Sequence, residues 1–510
     1  MRSVLLAVAF LISFTSHGLS LVYVEKDGVF FYYPVDEGEI AERLIKKYPA
    51  MTHFLEQQGV KVTLPLHVIL DDKLDTPAVR VHMIPHREIR IPLRAPGVLE
   101  EGYTEADPWA YFLFKGLSLQ GIYSIRSGIP GGLHKVFGEI ISPNIIIPEW
   151  TSDGICHLLY ALFKREEIHD PFYAAITKAA RPPDIDKISN HPGTWPGRDG
   201  YRIYGRPFMR WVYQNYGWSK LYDFIKRHGY GVLPIEIDLK ARKSFEKSWS
   251  ELWQTFSSEL VSNPHKGQGL LITGYWSEPF VYWNASGVYP GAVQFGLRGR
   301  YGYVDANKTL WLSEYDDEGL AKVIKYVKGM RFPLKLDHAW DPGPGGVAVT
   351  RRGHRPYLIL FSSHQGSSPA QFQPSSTQPQ FIAAPEGVLQ LSGPVQDQQG
   401  RIAVAANSQG NWDIWLYDRD WCRITDAPSL EMDPWWEGDR LVFASNVTGV
   451  FQIHDAEMKP LTNCKNGAVL PRKSKYLCLA GDGWQVLGYA PERTHQKSRA
   501  CPAIITPDIL

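Results

Sequence analysis

Apolar positions follow a helical period through the first half of the chain and a strand period through the second. In "EIAERLIKKYPAMTHFLEQQG" they recur three and four apart and stop at Gly59, which predicts a helix. "GVFFYY" and "LPLHVIL" on either side are strand-like, and "VRVHMIPHREIRIPL" predicts a hairpin bent at Pro85. From Asp107 the pattern turns helical. Asp107-Pro108 is a helix start, because Asp caps free amides and Pro is tolerated in the first turn. A second helix is predicted near Pro148-Glu149-Trp150. The amphipathic stretches "GRPFMRWVYQNYGWSKLYDFIKRHGYG" and "SFEKSWSELWQTFSSEL" follow. Helical spacing ends near Leu260, and "SNPHKGQG" predicts a linker.

Beyond the linker, short strand patterns alternate with Gly, Asn, Asp and Pro. "GRIAVAANSQGNWDIWLYDRDWCRIT" overlays "DRLVFASNVTGVFQIHDAEMKPLT": Arg401, Asn407, Gly410 and Ile414 fall on Arg440, Asn446, Gly449 and Ile453, each 39 residues on. That spacing suits one propeller blade, in which a polar turn reverses two strands and a third runs to an "I/L-T" edge. Weaker copies begin near "EPFVYWNASG", "GGVAVTRRGHRPYLILF" and "SKYLCLAGDGWQVLGYA", so about five blades are expected. The low-complexity run His364–Gln380 reads as a loop within this region.

Composition narrows the function. The 510 residues are too many for one ordinary core, and a net charge of +1 gives no footprint for nucleic acid. Arg2, the apolar run "VLLAVAFLISF" and the small residues of "SHGLS" read as a secretory signal over residues 1–20, the other reading being an uncleaved anchor. No later run is apolar enough for a membrane helix, so no integral span is expected after cleavage, and the signal-like segment leads us to expect a periplasmic or secreted location. Four of the five cysteines, Cys422, Cys464, Cys478 and Cys501, lie late in the chain. Disulfides are therefore expected there, with Cys464–Cys478 as the favoured pair. Cys156 sits in a helical apolar pattern and reads as core.

The stretches "WAYFLFKGLSLQGIY" (Trp109–Tyr123) and "PEWTSDG" (Pro148–Gly154) carry a resemblance. Residues 21–262 resemble the peptidase MA-like (gluzincin) domain of exported bacterial proteins, and residues 265–500 resemble a TolB-like β-propeller. The resemblance implies an α+β N-terminal half followed by an all-β propeller. Gluzincins hold zinc with H-E-x-x-H on one helix and a Glu on the next, with the Glu between the histidines as general base. Aligned to that frame, Lys115 takes the first histidine's place, Gly116 the general base's, Leu119 the second histidine's and Asp153 the third ligand's. A protonated lysine repels a metal, leucine cannot ligate and glycine cannot accept a proton. The resemblance therefore implies a pseudopeptidase with no metal, no cofactor and no catalytic residue. It also implies that Lys115 replaces the lost cation and pairs with Asp153. The plain alternative is an ordinary buried helix in "FLFKGLSLQG".

Other sites are weaker. His82 and His86 lie in a β-like pattern and do not share a helical face, and "REEIHD" with His169 reads as a solvated helix end. His157, four residues after Asp153, offers a surrogate ligand. Trp435 and Trp436 in "DPWWEGD" suit either blade packing or a sugar. The expected function is a binding scaffold for a protein or peptide partner in the envelope. The alternatives are a zinc metallopeptidase with atypical ligands, or a hydrolase or carbohydrate-binding protein using the propeller mouth.

Overall fold

A computed structural model describes residues 21–260 except 99, 127, 139–141, 167–169, 171–172, 175–176, 178–181, 191–199 and 232–236. It also describes 270–271, 283–284 and 299–488, except 305–309, 317, 328–329, 362–378, 473 and 481–482. The expected signal segment, the linker at 262–269, His169, Cys501, nearly all of the run 364–380 and most of the copy near residue 280 lie outside the described residues.

The first half is α+β. Strands β1 (Leu21–Lys26), β2 (Val29–Pro34), β3 (Leu66–Asp71), β4 (Arg80–His82) and β5 (Glu88–Pro92) form one sheet in the order β1-β2-β3-β5-β4. β2, β3 and β5 run parallel, while β1 and β4 pair antiparallel at the edges. Helix α1 (Gly38–Gln57) makes the crossover between β2 and β3 and ends at Gly59, where a φ of +80° suits glycine. Its buried stripe, Ile40, Leu44, Tyr48, Met51 and Leu55, repeats the three–four spacing of the sequence.

Helix α2 (Pro108–Ser124) starts as expected: the Asp107 carboxylate accepts the Ala110 amide at 3.2 Å. α2 is buried nearly all round, so it is a central helix rather than an amphipathic surface one. Helices α3 (Gly128–Phe137), α4 (Glu149–Lys164), α5 (Arg206–Tyr230), α6 (Ile237–Phe245) and α7 (Trp249–Leu260) follow. A wide π-type turn, Tyr201–Gly205, leads into α5, which kinks at Gly217. α4 and α5 approach closely because glycine permits it: a Cβ on Gly154 would lie 2.4 Å from Met209 Cγ and 3.0 Å from the Gly205 carbonyl oxygen.

The second half is all-β. Its larger sheets are antiparallel meanders of consecutive strands. They comprise β8–β11 (Gly299–Val304, Leu310–Tyr315, Ala321–Val327, Met330–Asp337) and β12–β15 (Ala339–Gly343, Val347–Arg352, Arg355–Leu360, Gln380–Ala383). Next come β16–β19 (Val388–Gln396, Ile402–Ser408, Asn411–Asp418, Asp420–Arg423) and β20–β22 (Glu431–Glu437, Arg440–Ser445, Gln452–Asp455). β23–β25 (Ala468–Arg472, Lys475–Ala480, Gly483–Gly488) completes the series, and β6 (Leu270–Leu271) pairs with β7 (Trp283–Asn284). This succession of small meanders is propeller-like.

The repeat of 39 places Ile402–Ala406 and Leu441–Ala444 as second strands of two different sheets. Its "I/L-T" edge has a physical cause: the Thr425 hydroxyl accepts the Ile414 amide at 2.9 Å, and the Thr462 hydroxyl accepts the Ile453 amide at 2.9 Å. A second repeat was not read from the sequence. Asp341, Gly393, Asp433 and Leu470 each have a positive φ (52°, 61°, 55° and 54°), each precedes a proline, and each sits at a register shift in the first strand of its sheet.

Cys464 and Cys478 form a disulfide, with Cα atoms 5.9 Å apart, while Cys156 and Cys422 are free and buried. Trp435 and Trp436 are half-buried in β20, with the guanidinium carbons of Arg472 and Arg401 at 4.7 and 4.6 Å from the ring centres. Those ring faces serve packing. His82 and His86 lie on the β4–β5 hairpin, where His86 pairs with Glu88 at 3.2 Å.

The halves are tightly joined. Asp75 of the first half is fully buried and held by the second: Ala321 N and Arg351 Nε donate to it at 2.7 Å each, and His338 Nδ1 lies 3.1 Å away. Glu37 takes His354 in the same way, at 2.6 Å. Segment 93–106 carries the contact further. Arg94 stacks on Trp340 with its guanidinium carbon 4.2 Å from the ring centre, and the Tyr103 carbonyl accepts from Asn407 Nδ2 and Trp412 Nε1 at 3.0 and 2.7 Å.

Candidate buried charge cluster

Lys115 is the one charged residue in α2. Burial pushes its amine down, and the Asp153 and Glu101 carboxylates overcome this and hold it well above the ordinary lysine value. α2 packs on α4, so Lys115 Nζ lies 2.5 Å from Asp153 Oδ1, inside the ion-pair limit. The pair expected from the sequence therefore forms, but it is half of a larger set. Lys115 Nζ also donates to Glu101 Oε1 and Oε2 at 2.6 and 2.8 Å. Arg206, delivered by the wide turn before α5, donates through Nε to Asp153 Oδ2 at 2.7 Å and through Nη2 to Asp153 Oδ1 at 3.1 Å and Glu101 Oε1 at 2.7 Å. The Tyr111 hydroxyl donates to Glu101 Oε1 at 2.5 Å, and the Tyr201 ring lies near both cations.

Two cations thus face two carboxylates in a buried, neutral set. Burial raises both carboxyls. Arg206 and Lys115 together outweigh it, so Asp153 and Glu101 sit below their ordinary values and stay ionised. With each charge opposed, desolvation is compensated and little acid–base reactivity remains near neutral pH. Burial pushes the nearby Cys156 thiol up, which removes it as a nucleophile.

The other frame positions have packing roles. A Cβ on Gly116 would lie 2.5 Å from Ile89 Cγ2, so glycine lets α2 rest on β5, and Leu119 packs half-buried against the core. His157 is half-buried on α4, and burial and Arg206 hold it neutral. Among the described residues no three His, Cys, Asp or Glu side chains gather to hold a metal ion. A divalent metal does not fit this set, because the two carboxylates already share an ammonium and a guanidinium.

Glu101 and Arg206 escaped the sequence reading. Glu101 lies in an irregular segment with no period to betray burial. Arg206 was readable in principle: it falls three before Met209, on the buried stripe that includes Val212. A charge on such a stripe calls for a partner.

No known family and no curated protein matches the chain. Solved structures give low-scoring likenesses to parts of it. A putative TolB from Agrobacterium tumefaciens has 14% identity and a TM-score of 0.29, over 45% of this chain and 92% of that one. The tricorn protease has 12% identity and a TM-score of 0.29, over 41% of this chain and 23% of that one. The β-propeller domain of the Trilobed protease from Pyrococcus furiosus has 10% identity and a TM-score of 0.24, over 37% of this chain and 59% of that one. The propeller-like description of the second half rests on its own strand order.

Proposed function

We propose that the chain is an exported, non-catalytic pseudopeptidase, and that residues 21–262, gluzincin-like, and 265–500, a TolB-like propeller of about five blades, form one scaffold for a protein or peptide in the cell envelope. The observation that carries this reading is the buried neutral cluster. Lys115 stands at the position the resemblance gives to a zinc-binding histidine, and its amine satisfies the carboxylate of the residue at the third-ligand position. Arg206 and Glu101 complete the neutralisation, so the set has an internal structural role and offers no open ligand position. The buried hydrogen bonds that join the halves support a scaffold rather than a hinge. Two measurements on the purified full chain test this. Metal analysis should give no stoichiometric zinc, and peptide hydrolysis should match the buffer blank. Zinc at one equivalent, lost on chelation together with peptidase activity, would overturn the reading. Capture of a reproducible envelope partner by the immobilised full chain tests the scaffold role; no saturable partner would refute it.

A further inference from the structure

The join between the halves holds a second buried charge set, and this one does not balance. Arg94 is fully buried. It donates through Nη2 to Glu100 Oε2 at 2.8 Å, and through Nη1 to the Tyr315 hydroxyl at 2.7 Å and the Asp75 carbonyl at 2.6 Å. Gly97 N donates to Glu100 Oε2 at 2.6 Å and the Tyr315 hydroxyl to Oε1 at 3.3 Å, so both Glu100 oxygens are engaged. Asp341, on β12 of the other half, is fully buried at the same spot. Its Oδ2 accepts from Gly393 N at 2.6 Å and Ser392 Oγ at 2.9 Å, both uncharged donors. Ser392 Oγ, Arg94 Nη2 and Glu100 Oε2 converge around Gly97, at 3.7, 3.6 and 3.2 Å from where its Cβ would stand. Asp341 Oδ1 is buried and has no hydrogen-bond partner among the described residues. The other described charges on the strands packed here are committed elsewhere. Arg351 of β13 serves Asp75 and Asp72, with His338 beside Asp75, and Lys322 of β10 pairs with Asp316. β9 brings Ser313 and Tyr315, and β16 carries no charged residue. One guanidinium thus stands against two carboxyls, whereas the Lys115 cluster sets two cations against two.

We propose that Asp341 is a proton-held latch on this join: with a proton it lets segment 93–106 seat against the β-rich half, and without one that seat loosens. An ionised Asp341 is a buried charge with one oxygen unsatisfied, beside a carboxylate that already takes the Arg94 guanidinium. Such a charge is costly, and a proton on Oδ1 removes the cost. Burial pushes the Asp341 carboxyl up and Glu100 adds to the rise, while Gly393 N, Ser392 Oγ and Arg94 offset it only in part. A raised folded value stabilises the closed join fully below the ordinary carboxylate range, and this advantage drains away as pH rises to the folded value. An ionised Asp341 gains by reaching water, which requires segment 93–106 to lift from β12 and β16. Local opening of this kind costs less than global unfolding. The latch does not rest on the pseudopeptidase reading.

Amide hydrogen exchange of the full chain, corrected for the direct effect of pH on exchange, tests it. Opening of peptides within 93–106 should be about tenfold or more greater at about pH 8 than at about pH 5. The rise should level off near the folded value of Asp341, about 7. Peptides from α7, away from the join, should change less. Asp341→Asn should keep the segment closed across this range. Glu100→Gln should turn the Arg94 charge over to Asp341, so that opening levels off at a lower pH; a residue that only packs would not move that pH. The Glu100→Gln result decides the matter by itself if Asp341→Asn folds poorly. Opening of the parent that does not change with pH overturns the proposal. So does an equal pH response in Asp341→Asn, an unmoved level-off in Glu100→Gln, or a rise spread evenly over every peptide, which would be a change in overall stability.

Discussion

Replacing Lys115 by methionine removes one of two cations from a buried set of four charges, and the contacts say which carboxylate is left exposed to the loss. Asp153 keeps two donors from Arg206, at 2.7 and 3.1 Å. Glu101 keeps Arg206 Nη2 and the Tyr111 hydroxyl, both on Oε1, while Oε2 loses the amine that stood at 2.8 Å. Breaking a buried ion pair from one side costs about 3–5 kcal/mol, because a charge stays buried without its partner. Lys115→Met should therefore destabilise the chain by that order, read as a lower urea midpoint. Adding Glu101→Gln should restore about half or more, since it removes the orphaned charge and leaves the two-point Arg206–Asp153 pair intact. Adding Asp153→Asn should restore less, because Arg206 then holds Glu101 through a single nitrogen. Tryptophan fluorescence in urea and far-UV circular dichroism would measure all four proteins. The reasoning fails if Lys115→Met matches the parent, or if the Glu101→Gln double variant is no more stable than Lys115→Met alone.

Three further outcomes are expected. Gly154→Ala should destabilise by about 1–3 kcal/mol, as its Cβ would press on Met209 and the Gly205 carbonyl where α4 meets α5; an unchanged urea midpoint would contradict the close approach. Burial pushes the Asp341 carboxyl up to about 7, against the hydrogen bonds from Gly393 N and Ser392 Oγ. A raised folded value means stability that is present below the ordinary carboxylate range and is lost as pH rises through about 7. Asp341→Asn should thus gain on the parent between pH 5 and 8, by on the order of 2 kcal/mol in urea titrations; a difference that does not change with pH would refute this. Opening the Cys464–Cys478 disulfide, by reductant or by Cys464→Ala with Cys478→Ala, should cost about 3 kcal/mol for a loop of its length, read as a lower urea midpoint.

What the sequence disclosed depended on how far a residue's fate was decided by its neighbours in the chain. α1, the start of α2, the β4–β5 hairpin and the 39-residue repeat were legible because period, capping and turn chemistry are local. Lys115 and Asp153 were legible through their frame on two helices. Glu101 was not: its burial follows from segment 93–106 being sandwiched between α2 and the β-rich half, a tertiary fact with no periodic trace. The proline repeat was visible as letters, yet its meaning, a positive φ and a register shift in the first strand of each sheet, needed the backbone.

The adjacency of Glu100 and Glu101 has a consequence for how this chain can be taken apart. Glu101 completes the cluster among the helices, while Glu100 accepts from Arg94 at 2.8 Å and from the Tyr315 hydroxyl at 3.3 Å on the β-rich side. Asp75 and Glu37 likewise find partners across the join. A fragment ending near residue 262 would keep these carboxylates while losing His338, Arg351, His354 and Tyr315, and would strip cover from the face that meets Trp340 and Trp412. Such a piece is expected to be poorly soluble and quickly cleaved by proteases. Whatever the boundary drawn along the sequence, the contacts across the join lead us to expect the two halves to fold and be degraded as one cooperative body.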